Sequence, residues 1–356
     1  MSTGQFKKDV DGTLAAPQIH WDELRNARLL FTGGTGFIGR WLLETLQQAN
    51  DNLALNLHIT VPSRRPEAFR QRAGHLLTNG HLELIPLDLV AARPTGNFTH
   101  LIHAATDASA ALNDEEPLTV FRTIVRSTEH VLELAAAQPG IKVLFLSSGA
   151  VYGQQPPELA GVPENWNGSP NPQVAKNAYG EAKRTAEMLC SIYRKQFGVN
   201  IVTARIFSLL GPFLPLGTHF AAGNFIRDAL AGESIVVHGN GRPVRSYLYP
   251  SDLATWLLTL LTRNPREVAY NVGSERSVSI AELAQTVAQL IGKSGYEILG
   301  LDDSGWNAGR YVPDTTLIRQ EFGLTETVSL ESAILRTTDL ASPPDFSHDC
   351  LDVSSQ

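Results

Sequence analysis

Residues 31–40 read Phe31-Thr32-Gly33-Gly34-Thr35-Gly36-Phe37-Ile38-Gly39-Arg40. The apolar run before them, Leu29-Leu30-Phe31, predicts a buried strand, and the apolar spacing after Gly39 predicts a helix. A glycine turn between a strand and a helix lets backbone N–H groups approach a phosphate at the positive end of the helix. The spacing G-x-x-G-x-x-G also fits a turn that only closes a strand against a helix. The chain that follows favours the phosphate-binding turn.

The composition indicates a globular protein of one or two domains, with 356 residues, 43% hydrophobic and 18% charged. A formal charge of −7 argues against nucleic acid as a general partner. Two cysteines, Cys190 and Cys350, cannot form a disulfide framework, so we expect a reducing, cytoplasmic setting. From the polar start we expect no signal peptide, and no apolar run predicts a membrane span. No His/Cys spacing suggests a metal site, and His103 is interpreted as core or cleft wall.

Strands and helices alternate through the first 206 residues. The patterns predict strands at about 28–32, 53–61, 81–85, 99–102, 142–148 and 200–206. They predict helices at about 37–49, 117–137 and 179–197, and beyond them helices at 220–231, 253–261 and 280–291 with short strands at 234–237 and 245–249. This alternation predicts an α/β fold with a doubly wound parallel (Rossmann) sheet and a smaller α/β region after it.

The end of the second strand carries Ser63-Arg64-Arg65 and no acid. In a dinucleotide-binding fold this position meets the adenosine ribose, where an acid suits a 2′-OH and an arginine suits a 2′-phosphate. The alternatives are a solvated charged turn and a contact to NADP. The sequence favours NADP over NAD, with Ser63 and Arg64 at the ribose.

Two further segments carry the predicted chemistry. Ser147-Ser148 ends the fifth strand, and Tyr179 and Lys183 lie four apart on the following helix, so both side chains point to one face. A nearby ammonium favours the phenolate of Tyr179 and lowers its pKa. Such a tyrosine can take a proton from a sugar hydroxyl while a hydride leaves the same carbon for a nicotinamide cofactor. The predicted catalytic residues are Ser148, Tyr179 and Lys183.

With these motifs in order, the chain resembles the extended short-chain dehydrogenases/reductases of the nucleotide-sugar epimerase/dehydratase family. The resemblance covers about 28–335, and in several stretches, among them Glu164–Gly168 and Gly223–Ile226, it is strongest to UDP-glucuronate decarboxylases. It implies a nucleotide-sugar substrate and a homodimer formed by the helices near 117–137 and 179–197. The apolar contacts expected there come from Leu132, Leu189, Ile192 and Tyr193.

The resemblance also implies the site residues and the domains. The cofactor would meet Gly33, Thr35, Gly36, Phe37, Ile38, Gly39, Ser63, Arg64, Asp88, Leu89, Ala104, Ala105, Tyr179 and Lys183. The substrate would meet Ser148, Ser208, Asn224, Val237, Arg245 and Arg310, with the two arginines converging on the diphosphate. We expect an N-terminal arm and capping helix at 1–27 and an NAD(P)-binding domain at 28–206. A mainly substrate-binding domain would span 207–340, with about 250–272 packing back, and 341–356 would be a tail.

Departures from the family pattern bear on the reaction. The decarboxylases have a glutamate where this chain has Ala150, and the 4,6-dehydratases have an Asp-Glu pair at Gly149-Ala150. Neither small residue can move a proton, as elimination of water requires. The sequence therefore favours an epimerase acting through a keto-sugar oxidised at C4. The alternatives are a decarboxylase-like or dehydratase-like enzyme, an NADPH-dependent keto-sugar reductase and, from another class, a non-catalytic NAD(P)-binding sensor.

Overall fold

Parallel strands form the central sheet of the protein. A computed structural model describes residues 4–106, 110–217, 220–292, 295–300 and 309–340. The sheet contains β1 (Arg28–Thr32), β2 (His58–Ser63), β3 (Leu82–Pro86), β4 (His100–His103), β5 (Lys142–Ser148), β6 (Asn200–Ile206) and β9 (Ala269–Val272). Their order is β3-β2-β1-β4-β5-β6-β9. This is the predicted doubly wound fold, and its strand order reverses between β1 and β4, where such sheets bind ligands at the carboxyl ends.

Helices cover both faces of this sheet. They are α2 (Phe37–Leu53), α3 (Pro66–Ala73), α4 (Ala110–Glu115), α5 (Pro117–Ala136), α6 (Ala178–Phe197), α8 (Pro250–Thr262) and α10 (Thr316–Phe322). Successive residues of β5 enter opposite cores: Leu144 packs with the residues of α2 and α8, and Phe145 packs with those of α5 and α6. Leu132 of α5 is 2% exposed because it lies in this second core. The expectation that Leu132 supplies a dimer contact is therefore wrong.

Most predicted elements lie where the sequence placed them, with differences of a few residues at their ends. The second strand is the exception, because it was expected from Leu53 and begins at His58. Helix α2 continues to Leu53, and Ala54 ends it with a left-handed backbone of φ 49°. The side chain of Asn50 then binds both the N–H and the carbonyl of Leu57, at 2.9 and 3.0 Å. Residues 54–57 therefore form a turn. Because Leu55 and Leu57 are buried, their sequence pattern resembles that of a strand.

Part of the expected N-terminal arm is helical. Residues Gly4–Leu14 form helix α1, which buries Phe6 and Val10. The Phe6 ring meets Trp41 of α2 edge-on, with ring centroids 4.8 Å apart. The buried carboxylate of Asp9 accepts hydrogen bonds from Tyr249 and from Arg336, both at 2.7 Å. Contacts with residues distant in sequence thus stabilise the polar helix α1, and its own sequence does not predict them.

The expected capping helix is present as a short 3₁₀ turn at Trp21–Leu24. Leu24 is fully buried in the core beneath the sheet, and Trp21 is half-buried. The Trp21 indole N–H donates to the carbonyl of Leu14 at 3.0 Å, which joins this turn to the end of α1. Both side chains therefore face the interior of the protein.

The second half of the chain builds a smaller α/β unit. Its strands are β7 (Ile235–Val237), β8 (Val244–Ser246), β10 (Ser277–Ser279), β11 (Tyr296–Ile298) and β12 (Arg310–Tyr311). They form a β10-β8-β12 sheet and a β11-β7 pair beside helices α7 (Ala221–Ala231), α9 (Ile280–Ile291) and α11 (Leu330–Leu340). Strand β9 nevertheless lies beside β6 in the large sheet, and Leu257 of α8 packs in the core of that sheet.

The domain limits 1–27, 28–206, 207–340 and 341–356 remain a prediction, and the tail from Ala341 lies outside the described residues. Among the helices that the structure describes, each is too short or too polar to cross a lipid bilayer. Within the same residues, no group of three or more histidines, cysteines and carboxylates could hold a metal ion.

Candidate active site

The glycine turn joins β1 to α2 at the switch point of the sheet. Gly33 has φ 75°, and a Cβ on it would lie 2.5 Å from the carbonyl carbon of Ala104. A Cβ on Gly39 would lie 2.4 Å from the carbonyl oxygen of Gly34. Only glycine fits at these two positions, and the first turn of α2 therefore packs directly on the strand ends. Gly36 caps the helix without a side-chain hydrogen bond, which leaves backbone N–H groups for an anion.

A buried histidine ties this turn to the neighbouring elements. The Nδ1 of His103 lies 2.7 Å from the hydroxyl of Thr32, and its Nε2 lies 3.0 Å from the hydroxyl of Thr128 on α5. Burial lowers the pKa of His103 to about 3, and the charge of Lys183 acts in the same direction. The ring is therefore neutral at physiological pH. It fixes the end of β4, after which Ala104 and Ala105 approach the glycine turn.

The residues expected at the adenosine lie along the same edge of the sheet. Ser63 ends β2, is buried, and accepts a hydrogen bond from the N–H of Arg65 at 3.2 Å. Arg64 beside it is exposed. Asp88 follows β3 and accepts from the N–H of Val90 at 2.9 Å, and Leu89 is buried next to it. These positions stay predictions for cofactor binding.

Ser148, Tyr179 and Lys183 meet beside the carboxyl end of β5. Ser148 is the last residue of the strand, and its Oγ accepts from the N–H of Ala150 at 3.2 Å. Tyr179 lies in the first turn of α6, and Lys183 lies one turn later. A hydrogen bond with Ser148 lowers the pKa of Tyr179, although burial raises it by more. Ser148 and Tyr179 therefore interact directly, and Lys183 lies one helical turn further along α6.

The position of Lys183 differs from the expectation that its ammonium lowers the pKa of Tyr179. The Nζ donates to the carbonyl of Leu146 at 2.8 Å and lies 5.2 Å from the centre of the Phe145 ring. Burial lowers the pKa of Lys183 to about 8, against the opposing charge of Glu187. Burial keeps the pKa of Tyr179 above its ordinary value in this structure, although a hydrogen bond with Ser148 lowers it. The ammonium of Lys183 is held by the backbone of β5.

Glu187, which the sequence did not single out, secures the ends of β5 and β6. It accepts from the hydroxyl of Ser147 at 2.6 Å and from Nη2 of Arg205 at 2.7 Å. Arg205 also donates to Tyr152 at 2.8 Å, and the Tyr152 hydroxyl donates to Asn271 of β9 at 2.8 Å. This buried network spans three strands and helix α6. It fixes the strand end from which Ser148 projects.

The predicted substrate residues are spread over the second half of the chain. Val237 is buried in β7, and the backbone carbonyl of Ser208 accepts from Leu248 at 3.0 Å. The side-chain oxygen of Asn224 accepts from Arg227 at 3.4 Å. These contacts are internal to the protein, so their roles at a substrate stay predictions.

The two arginines do not converge as the resemblance implied. In the parallel pair β8–β12, Arg245 lies opposite Tyr311, and Arg310 lies opposite Val244. Because side chains alternate along a strand, Arg245 and Arg310 lie on opposite faces. Arg310 donates to the carbonyl of Ala160 at 2.9 Å, whereas Arg245 donates to the carbonyl of Gly309 at 2.8 Å. The two side chains thus have separate partners, and their roles at a diphosphate stay predictions.

Tyr311 is a second residue, after Glu187, that the sequence did not identify. Its Oη lies 3.3 Å from the Oγ of Ser148 and 3.4 Å from the carbonyl oxygen of Ile206. Its ring packs on Phe207, with centroids 4.6 Å apart. Its position in the sequence gave one weak indication. Tyr311 follows Arg310 in a short strand, and because side chains alternate along a strand, the two residues face opposite sides.

Comparison with known proteins places the chain among enzymes of nucleotide sugars. UDP-glucuronic acid decarboxylase 1 of Xenopus tropicalis is 32% identical over 311 residues, which cover 87% of this chain and 71% of that protein. UDP-glucuronic acid decarboxylase 3 of Arabidopsis thaliana is 29% identical over 309 residues, covering 87% of each.

Solved structures show the same fold at lower identity. UDP-glucose 4-epimerase from Thermotoga maritima matches with a TM-score of 0.72 at 22% identity, covering 88% of this chain and 98% of that one. UDP-glucuronic acid 4-epimerase from Bacillus cereus, solved with UDP-glucuronic acid and NAD, gives a TM-score of 0.73 at 21% identity with the same coverage.

A family model described as the NAD dependent epimerase/dehydratase family matches residues 29–273. The match spans well over half of the chain, and the resemblance stated from the motifs is confirmed. The glycine turn, the Ser148–Tyr179–Lys183 arrangement and these relatives agree: the chain is an enzyme that belongs to the NAD-dependent epimerase/dehydratase family.

Proposed function

We propose that the protein is an NAD(P)-dependent 4-epimerase of a nucleoside-diphosphate sugar that acts through a transient 4-keto-sugar. The observation that carries this proposal is the chemistry beside the end of β5. Hydroxyl groups and one lysine meet there, whereas Gly149 and Ala150 supply no acid or base. Oxidation and re-reduction of one carbon need a proton carrier at its hydroxyl and no further base.

The described residues fit a dinucleotide. Gly33 and Gly39 allow the close approach of strand and helix, and the first turn of α2 offers its N–H groups to the diphosphate. Ser63 and Asp88 lie at the ends of β2 and β3, where the adenosine half would lie. When bound, a nicotinamide cofactor accepts a hydride from the sugar carbon and supplies one in return.

The protein's own residues would handle the proton. Tyr179 takes the proton of the C4 hydroxyl and later gives it back, and Ser148 hydrogen-bonds the same oxygen. Lys183 uses one of its three N–H donors on Leu146, which leaves two for the cofactor and for charge stabilisation near Tyr179. The cationic ring of an oxidised cofactor would add to this effect and favour the phenolate.

Packing around Gly149 argues against the dehydratase alternative. A Cβ at this position would lie 2.7 Å from the ring of Phe207 and 2.8 Å from the hydroxyl of Tyr311. An acidic side chain would therefore need these rings to move. Without an acid and a base at positions 149 and 150, elimination of water lacks its proton carriers.

A UDP-glucuronate decarboxylase is the second candidate. The relatives from Xenopus tropicalis and Arabidopsis thaliana reported above both carry that name. Oxidation of a glucuronate at C4 creates a β-keto acid, which can lose CO2 without a base at C5. The absence of the decarboxylases' glutamate at Ala150 argues in the other direction. UDP-glucuronate therefore separates the two candidates, since an epimerase keeps the carboxylate and a decarboxylase releases it.

The test is incubation of the purified protein with UDP-glucuronate and UDP-glucose, each with NAD or NADP, and product analysis by NMR. A C4 epimer with all carbons retained is the expected result. A pentose nucleotide with CO2 would establish the decarboxylase instead. Failure of both substrates and of a wider panel of UDP-, dTDP-, GDP- and CDP-sugars would reject both candidates. The variant Tyr179→Phe serves as the inactive control.

The proposal includes a cytoplasmic homodimer. Helices α5 and α6 pack against each other, and their outer surface presents Ile192 at 38% exposure and Met188 at 61%. Leu189 and Tyr193 of the expected contact are partly buried. Apolar side chains on the outer surface of paired helices support association of two copies through a helix bundle.

A further inference from the structure

Tyr311 reaches the catalytic residues from the second half of the chain. It lies in β12, opposite Arg245 of β8, and its Oη is 3.3 Å from the Oγ of Ser148. Ser148 ends β5 of the large sheet. The contact therefore joins the two halves of the protein at the atom predicted to meet the sugar hydroxyl.

The space for this contact depends on Gly149. A Cβ there would lie 2.8 Å from the Tyr311 hydroxyl and 2.7 Å from the Phe207 ring. Phe207 in turn packs on the ring of Tyr311 at 4.6 Å. The missing side chain of Gly149 thus makes room for a phenol that arrives from another strand, and Phe207 holds its ring in place.

The hydrogen-bond partners of Ser148 and Tyr311 limit where the Tyr311 proton can point. A serine hydroxyl has two acceptor lone pairs and one donor. One lone pair of Ser148 accepts the N–H of Ala150 at 3.2 Å. Burial raises the pKa of Tyr311, as do the neighbouring Tyr179 and Tyr152, whereas Ser148 and Arg245 act in the opposite direction. Tyr311 is therefore a protonated phenol at neutral pH, and its one proton has two acceptors within reach, the Oγ of Ser148 at 3.3 Å and the carbonyl of Ile206 at 3.4 Å.

We propose that Tyr311 is a positioning residue that donates its hydroxyl proton to the Oγ of Ser148. With both acceptor sites of Ser148 filled, the proton of Ser148 is directed to Tyr179 or to the reacting sugar oxygen. Tyr311 thereby acts through Ser148 on the acid–base step. The inference rests on the proposed function for its kinetic consequence, and its structural part can be tested without a substrate.

The kinetic test compares Tyr311→Phe, Ser148→Ala and the double variant. Loss of one hydrogen bond predicts a kcat about three- to tenfold lower for Tyr311→Phe, with KM unchanged within about twofold. Because Tyr311 acts through Ser148, the double variant should be no slower than Ser148→Ala alone. The matched control is Tyr270→Phe, which loses a buried phenol bound to Glu321 at 2.7 Å on β9, two strands away from β5.

Three kinetic outcomes would overturn the proposal. Wild-type kcat in Tyr311→Phe would show that the hydroxyl does not orient Ser148. A faster variant would show that Tyr311 instead accepts the proton of Ser148 and donates to Ile206. Multiplying effects in the double variant would show that Tyr311 acts independently of Ser148.

A substrate-free measurement separates failure of this proposal from failure of the proposed function. Tyrosine labelled with ¹³C at Cζ reports the titration of each phenol by NMR in the cofactor-loaded protein. Tyr311→Phe should raise the pKa of Tyr179 by about 0.5 to 1, in the same direction as Ser148→Ala. An unchanged Tyr179 titration overturns the positioning role, whatever the enzyme turns over.

Discussion

The ammonium of Lys183 donates a hydrogen bond of 2.8 Å to the carbonyl of Leu146, in the strand that ends at Ser148. The bond links α6 to β5 through the interior of the protein, and it accompanies almost complete burial of the lysine. A buried ammonium in this position costs stability, because desolvation disfavours its charged form.

This cost predicts how stability depends on pH. The pKa of Lys183 is about 8 in the folded protein, below its ordinary value of 10.5. Between these values the unfolded chain binds more protons, so stability rises with pH. We expect the free energy of unfolding to rise by about 2 kcal/mol between pH 7 and 9.5 because of Lys183.

The test is urea unfolding of the wild type and of Lys183→Met at both pH values. Because the other titrating groups are the same in the two proteins, the difference between their free energies of unfolding isolates the contribution of Lys183. An equal difference at the two pH values would contradict the prediction.

Removal of the phenol of Tyr179 should abolish proton transfer while the fold persists. Tyr179→Phe keeps the ring in the first turn of α6 and loses only its hydroxyl. We expect turnover to fall by about 10²–10⁴, the usual scale for a general acid–base group. Calorimetry should show unchanged cofactor affinity in the same variant. Turnover near that of the wild type would remove Tyr179 from the mechanism.

The cofactor preference follows from the end of β2. Residues 63–66 at the end of that strand include no acid to repel a 2′-phosphate, and Arg64 is exposed beside the buried Ser63. We expect NADP to bind about ten- to hundredfold more tightly than NAD, since one charge-assisted hydrogen bond contributes about 1.5–3 kcal/mol. Calorimetric titration of cofactor-stripped protein measures both affinities. Arg64→Ala should lose the preference, and Arg70→Ala on α3 is the matched control. Equal affinities of the wild type for NAD and NADP would contradict the predicted preference for NADP.

Helix α1 should contribute to the stability of the whole chain. The Phe6 ring is buried against Trp41 and also meets Phe213, with ring centroids 5.4 Å apart. Phe6→Ala should reduce the free energy of unfolding by about 3–5 kcal/mol, as for other buried phenylalanines. Lys8→Ala changes an exposed residue of the same helix and should lie within about 0.5 kcal/mol of the wild type. Urea unfolding checks both, and equal stability of the two variants would show that α1 is dispensable.

The predicted dimer places the outer surface of α5 and α6 at a two-fold axis. Ile192→Asp would bury a carboxylate at that contact, so we expect it to yield monomers at micromolar concentration. Multi-angle light scattering measures the mass of wild type and variant. Tyr296→Asp, at a 41% exposed residue of β11, is the control that should leave the mass unchanged. A monomeric wild type at that concentration would contradict the homodimer.

Local patterns in the chain were sufficient to predict the features that depend on residues close together in sequence. The glycine turn needs residues with no side chain at fixed positions, and a helix brings Tyr179 and Lys183 to one face because they are four residues apart. Apolar runs between turns likewise identify the strands of a buried parallel sheet. These relationships predicted the doubly wound fold and the arrangement around Ser148.

Only the tertiary structure decided the relationships between distant segments. The register of β8 against β12 sets Tyr311, and not Arg310, beside Arg245, and no local pattern encodes that register. The polar helix α1 forms because Trp41, Tyr249 and Arg336 surround Phe6 and Asp9. The bond from Lys183 to Leu146 likewise depends on how α6 packs on β5. In each case the deciding energy is burial against residues far away in sequence, which local spacing cannot specify.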